Sequence, residues 1–78
     1  MPKLPSLSSR QIIQVLAKAG FSEAPDRGKG SHRAFYRADP AGKTRLVIVP
    51  QGKDIPRGTL LAILDQAGLS RDEFLALL

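Results

Sequence analysis

The 78-residue sequence contains no cysteine, which excludes disulfides and thiolate metal sites. It also has no apolar run approaching the roughly 20 residues of a membrane-spanning helix. The apolar stretch Leu46 to Val49 has the length of a strand. Nothing resembles a charged n-region followed by an apolar h-region and a small-residue cleavage site, so a cytoplasmic location with no membrane association is expected. GxSxG elbows, P-loops and dinucleotide fingerprints are missing, and Gly28-Lys29-Gly30 is too short to form a phosphate loop on its own. Metal sites need several His, Cys, Asp or Glu ligands in a suitable arrangement. Here a single histidine is accompanied by scattered acids, so neither a metal nor a cofactor is expected. The length allows one small domain, residues 1–78, with a modest core.

Acidic residues are scarce where basic ones gather. Arg27, Lys29, Arg33, Arg37, Lys43, Arg45, Lys53 and Arg57 face only Asp39 and Asp54 over the middle of the chain, within a formal net charge of +5. The bland reading of such a run is a solvated outer face of a small sheet. A concentrated positive field also suits a polyanion, because each phosphate neutralised by Lys or Arg releases condensed counterions.

Local signals divide the chain into helices and strands. Ser8 and Gln11 have the spacing of a capping box, and Leu7 and Ile12 that of a hydrophobic staple. Ile12, Ile13, Leu16, Ala17 and Ala19 supply an apolar stripe, and Gly20 is placed to end the helix in a left-handed cap. The spacing predicts a helix over Ser9 to Ala19. Strands are predicted over Ser31 to Ala38 and Thr44 to Val49, joined by the hairpin loop Asp39 to Lys43, with a weaker first strand over Phe21 to Arg27.

In the middle strand His32, Ala34 and Tyr36 share one face and Arg33, Phe35 and Arg37 the other. Neither face is cleanly apolar, so the register stays open. A second helix starts near Pro56, with Asp54 as a candidate cap, carries Leu60, Leu61, Ile63, Leu64 and Ala67, and stops at Gly68. A second capping box, Ser70 with Glu73, flanked by Leu69 and Phe74, opens a short closing helix. Met1 to Pro5 reads as a loose end.

This order predicts an α+β sandwich, α-β-β-β-α, with a three-stranded antiparallel sheet, helices on one face and a short C-terminal helix. The same order is that of the double-stranded RNA-binding fold.

The stretch Gly28-Lys29-Gly30-Ser31-His32-Arg33-Ala34-Phe35-Tyr36 holds the lone histidine. A single histidine is most often a surface or structural residue. Here the glycines leave room for a bulky ligand, and Lys29, Arg33 and Arg37 put positive charge nearby. Imidazole titrates near neutrality, so it can take the 2′-hydroxyl proton of a ribose or return one to a leaving 5′-oxygen, while cations stabilise the phosphorane. Ser31 as a nucleophile would need a base; His32, adjacent in a strand, would face the other way, so Ser31 is read as orienting the turn. Tyr36 and Phe35 could stack on an unpaired base, although alternate strand positions are commonly core. Arg57 at a helix N-terminus could hold phosphate there or simply be solvated.

The sequence resembles the HicA toxin family in Gly30-Ser31-His32 after a helix and a basic turn, Val49-Pro50 closing a strand, Gly58-Thr59-Leu60, Ile63-Leu64 and Ala67-Gly68-Leu69. The resemblance runs from about Ser8 to the C-terminus. It implies a double-stranded RNA-binding-like fold and a cofactor-free ribonuclease, an mRNA interferase, with His32 catalytic in the glycine-serine-histidine motif. It also implies a HicB antitoxin as partner, binding over the active site and assembling with the toxin into a larger complex. Many relatives carry a second histidine where this chain has Gln51, so a second imidazole for acid-base work is missing. If His32 is the base, the acid is Lys53, Lys29, Tyr36 or water.

The leading expectation is therefore metal-independent cleavage of single-stranded regions of mRNA by His32, with Lys29, Arg33, Lys53, Arg57 and Tyr36 binding RNA or its phosphate. The alternatives are a non-catalytic RNA-binding module on the same basic sheet, and an adaptor whose basic patch binds an acidic protein.

Overall fold

The structure is a computed structural model that describes residues 4–25 and 30–78. Helix α1 spans Ser9–Lys18, strands β1, β2 and β3 span Ser22–Glu23, His32–Ala38 and Thr44–Pro50, and helices α2 and α3 span Arg57–Ala67 and Arg71–Leu77. The strands form one antiparallel sheet in the order β1-β2-β3. This is the expected α+β arrangement.

Each helix start follows its sequence signal, with one exception. Ser8 and Gln11, and again Ser70 and Glu73, form reciprocal capping boxes at the starts of α1 and α3. Both staples are packed: Leu7 and Ile12 are buried, and Phe74 is buried beneath the half-buried Leu69. The exception is α2, whose N-cap is Pro56 with no side-chain hydrogen bond. Asp54, the expected cap, instead accepts from the Ser6 hydroxyl. That contact leaves the first-turn N–H groups of α2 without a side-chain partner.

Helices α1 and α2 end in the same way. Phe21 N–H bonds Leu16 O and Gly20 N–H bonds Ala17 O; Leu69 N–H bonds Leu64 O and Gly68 N–H bonds Asp65 O. These are Schellman pairs, and they need a left-handed residue at Gly20 (φ 92°) and Gly68 (φ 71°). At Gly68 a Cβ would also meet the Arg45 guanidinium carbon at 2.6 Å. The arginine therefore lies across the end of α2, where a cation complements the helix dipole.

The register left open by the sequence is set by pairing. His32 opposes Pro50, Ala34 opposes Ile48 and Tyr36 opposes Leu46; Arg33 opposes Val49, Phe35 opposes Val47 and Arg37 opposes Arg45. Phe35, Val47 and Val49 are buried and join Ile12, Val15, Leu16, Leu60, Ile63, Leu64 and Phe74 in the core. The helices therefore cover the Phe35 face of the sheet.

Arginines flank Phe35 on that inward face because long side chains can lay their stems on apolar surface and bring the head out at the strand ends. Arg37 does so over the Phe21 ring, 4.9 Å from its centroid, while donating to Ala19 O at 2.7 Å.

Strand β1 is shorter than expected. It pairs Ser22 with Tyr36 and Glu23 with Phe35, followed by one further bond from Ala24 N–H to Ala34 O. Pro25, which has no N–H, follows directly; Arg27, the expected end, lies outside the described residues. The other boundaries differ by one residue, α1 ending at Lys18, β2 starting at His32 and β3 reaching Pro50. Leu4, placed by sequence in a loose N-terminal end, packs against the core.

Strand β3 lies at the edge of the sheet. The outward donor of Ile48 is taken by Gln66 Oε1 of α2 at 3.0 Å, and Pro50 has none to offer.

Candidate functional site

His32 opens β2 and its side chain is exposed on the sheet face turned away from the helices. Ser31 precedes the strand rather than belonging to it, so its side chain is not forced to the opposite face. Its Oγ lies 3.5 Å from His32 Nδ1, which corrects the expectation that the two side chains diverge.

Two connections hold this end of the sheet. Gln51 N–H donates to Ser31 O at 2.7 Å, extending the β2–β3 ladder beyond the Pro50 pair. Gly52 O then accepts both the backbone N–H and the hydroxyl of Ser9, at 2.9 and 3.1 Å. The N-terminus of α1 thus anchors the strand that positions the histidine.

Gln51, where the resembling family often has histidine, stands across from Ser31 with its side chain exposed and Nε2 donating to Val49 O at 3.2 Å. Lys53, two residues on, is exposed and forms no ion pair among the described residues.

The remaining candidate residues divide by position. Tyr36 shares the open face with His32 and is 45% exposed, but four residues of strand separate them, about 13 Å. That backbone spacing places the two side chains toward opposite ends of the open face, an arrangement that does not favour Tyr36 as proton donor to a group that His32 attacks.

Arg33 belongs to the opposite face. Its Nε and NH2 donate to Glu23 at 2.8 and 2.5 Å in a bidentate pair across β1 and β2, and its guanidinium lies 5.6 Å from the Phe35 ring centroid. Arg57 is the first residue of α2 and lines a cavity of about 370 Å³ with Leu4, Pro5, Asp54 and Leu60. No residue of β2 or β3 lines that cavity. Lys29 lies outside the described residues. No group of three or more His, Cys, Asp or Glu capable of holding a metal occurs among the described residues, and no helix there is long and apolar enough to cross a membrane.

Among the described residues, hydrogen bonding favours the charged form of two carboxylates. Hydrogen bonds from the Arg33 side chain hold Glu23 below the usual carboxylate range, and the Ser70 N–H donating to Glu73 does the same there. A depressed folded value means stabilisation that is present above the unfolded value and lost as the pH falls through the folded one. Thermal melts of Glu73→Gln are therefore expected to fall furthest below those of the native chain at neutral pH, and the difference to close as the pH drops below the carboxylate range. A difference that widens on acidification would contradict this assignment.

Sequence reasoning passed over the apolar residues of the open face, Leu46 and Ile48. The available signal was that β3 is apolar at even as well as odd positions, which a strand with one fully solvated face does not need.

Residues 9–69 match a family model described as HicA toxin of bacterial toxin-antitoxin. No curated protein matches the chain.

Proposed function

The chain belongs to the HicA toxin family of bacterial toxin-antitoxin systems, and from that premise we propose that it is an mRNA interferase, a cytoplasmic endoribonuclease that arrests translation and growth until a HicB antitoxin covers its site. The observation that carries this reading is the exposed His32 on the open sheet face, fixed by the Ser31–Gln51 and Ser9–Gly52 hydrogen bonds.

The proposed step is a metal-independent transesterification. His32 acts as base in the tautomer whose Nδ1–H points at Ser31 Oγ, leaving Nε2 free to accept the ribose 2′-hydroxyl proton. The 2′-oxygen forms a bond to phosphorus, the bond to the 5′-oxygen breaks, and that oxygen takes a proton from Lys53, Lys29 or water. The products are a 2′,3′-cyclic phosphate and a 5′-hydroxyl. Among the described residues Lys53, exposed two positions beyond Gln51 and in no ion pair, supplies positive charge for the phosphorane oxygens. Arg33 would join it only by releasing Glu23, and Arg57 would serve a more distant phosphate.

A synthetic RNA carrying one cleavable site tests the mechanism. With EDTA present, cleavage is expected to yield a 2′,3′-cyclic end, and a single 2′-deoxy substitution at the scissile nucleotide is expected to abolish it. A linear 5′-phosphate product would rule the mechanism out. RNA binding with no product at all would favour the non-catalytic module, a reading that Gln51 in place of a second histidine keeps in contention.

A further inference from the structure

Strands β2 and β3 place His32, Ala34 and Tyr36 beside Pro50, Ile48 and Leu46 on one open face. The two most exposed apolar side chains of this face, Tyr36 at 45% and Leu46 at 40%, are directly paired. Between Tyr36 and His32 on β2 stands Ala34, whose methyl group is covered by its neighbours, so the accessible apolar surface of this face comes from Tyr36, Leu46 and the half-buried Ile48. The face thus carries an aromatic ring at one end and an imidazole at the other.

Charge narrows what can lie there. Neither β2 nor β3 contains a single Asp or Glu. Exposed lysines flank β3 at both ends in the chain, Lys43 before it and Lys53 after it, and neither forms an ion pair among the described residues. A second copy of the chain would bring its own +5 charge against this surface. An unpaired nucleic acid strand offers what the face lacks, a backbone of negative charge with flat apolar rings projecting from it. A duplex does not, because its rings are stacked inside and only edges and backbone are presented.

We propose that this face is a nucleobase subsite, in which Tyr36 stacks on an unpaired base over the Leu46 and Ile48 floor, so that the chain selects single-stranded over double-stranded RNA. This rests on the ribonuclease reading only for the identity of the bond that is cut. The separation of about 13 Å between Tyr36 and His32 assigns the stacked base to a nucleotide neighbouring the scissile phosphodiester, not to the ribose that is attacked. Selection for single strands thus resides on the sheet face, in a fold whose other users read duplex shape.

The test is equilibrium binding of a fluorescein-labelled single-stranded RNA to full-length protein carrying His32→Ala, which prevents cleavage. Adding Tyr36→Ala is expected to weaken binding about 5- to 150-fold, the effect of losing one stacked base. Tyr36→Phe and Tyr36→Trp are expected to stay within about 3-fold of the parent. The same strand with abasic nucleotides, and a duplex of the same length, are expected to bind Tyr36→Ala and its parent equally, since only phosphates are then contacted.

A loss of equal size on all three ligands, or an unmoved affinity for the single strand, overturns the proposal. Unmoved affinity accompanied by a dimer in sedimentation that Leu46→Ser abolishes would assign the face to self-association instead. Cleavage is read separately, with His32 intact, so the outcomes separate. Base-dependent binding by a chain that cuts no RNA retires the ribonuclease reading and upholds the subsite; active cleavage with Tyr36-independent binding does the reverse.

Discussion

Replacing His32 by alanine is expected to lower the rate of RNA cleavage by about 10²- to 10⁴-fold, the range that a positioned proton-transfer group contributes, while leaving the fold intact. The side chain is exposed at the first position of β2, and its only polar contact among the described residues is the 3.5 Å approach of Ser31 Oγ. Truncation there opens no cavity and strands no buried partner, so a stability change within about 0.5 kcal/mol is expected. The loss should fall on kcat with KM little altered, because a group that moves a proton acts in the transition state and not in substrate binding. Initial rates in EDTA, with thermal melts of both proteins, measure this. Equal rates would remove His32 from the chemistry. A matched collapse of melting temperature and activity would show that the residue is structural.

The largest effect on stability is expected at the other side of the molecule. Phe74 is the only buried residue of α3 and is completely enclosed. Phe74→Ala should cost about 3–5 kcal/mol, from lost transfer free energy and the cavity left behind. At about 0.05–0.15 kcal/mol per residue, a domain of this length holds about 4–12 kcal/mol in all, so the substitution removes a large share of it. Urea titration followed by circular dichroism should show the midpoint falling accordingly, and the melting temperature should drop by more than about 12 °C.

A seven-residue helix has no stability of its own. The backbone amides of α3 should therefore lose exchange protection together, as the helix end that receives the Lys18 Nζ bond at Leu77 O, 3.0 Å in the native chain, comes away. A loss below about 1 kcal/mol would mean that α3 contributes little to holding the core closed.

The sequence revealed most where the controlling interactions are local. Both capping boxes, both Schellman glycines and the hairpin were readable because every partner lies within six residues. In that hairpin Asp39 Oδ1 accepts from Ala41 and Lys43 N–H and Gly42 adopts φ 87°.

The middle strand was not readable for a corresponding reason. Arg33 and Arg37 point to the same side as Phe35, and what makes that acceptable comes from elsewhere in the chain: Glu23 for Arg33, Phe21 and Ala19 O for Arg37. An arginine whose partner sits ten or more residues away cannot be told from a solvated one by alternation alone. Arg33 was thus read as a phosphate ligand, although its guanidinium is already held by a carboxylate. Asp54 failed in the same way, since Ser6, the residue that claims it, is 48 positions away. His32 was legible because it is the sole imidazole, and Gln51 because of the family resemblance, whereas the ladder bond that sets Gln51 across from Ser31 was not.

The guarded rim of β3 bears on how the chain behaves in excess. A strand seeking to dock along it would find two usable amides, those of Thr44 and Leu46, before reaching one already claimed by Gln66 and then a proline that offers nothing. Two rungs are too few to template further growth. Molecules in excess are therefore not expected to zip into fibres through this border.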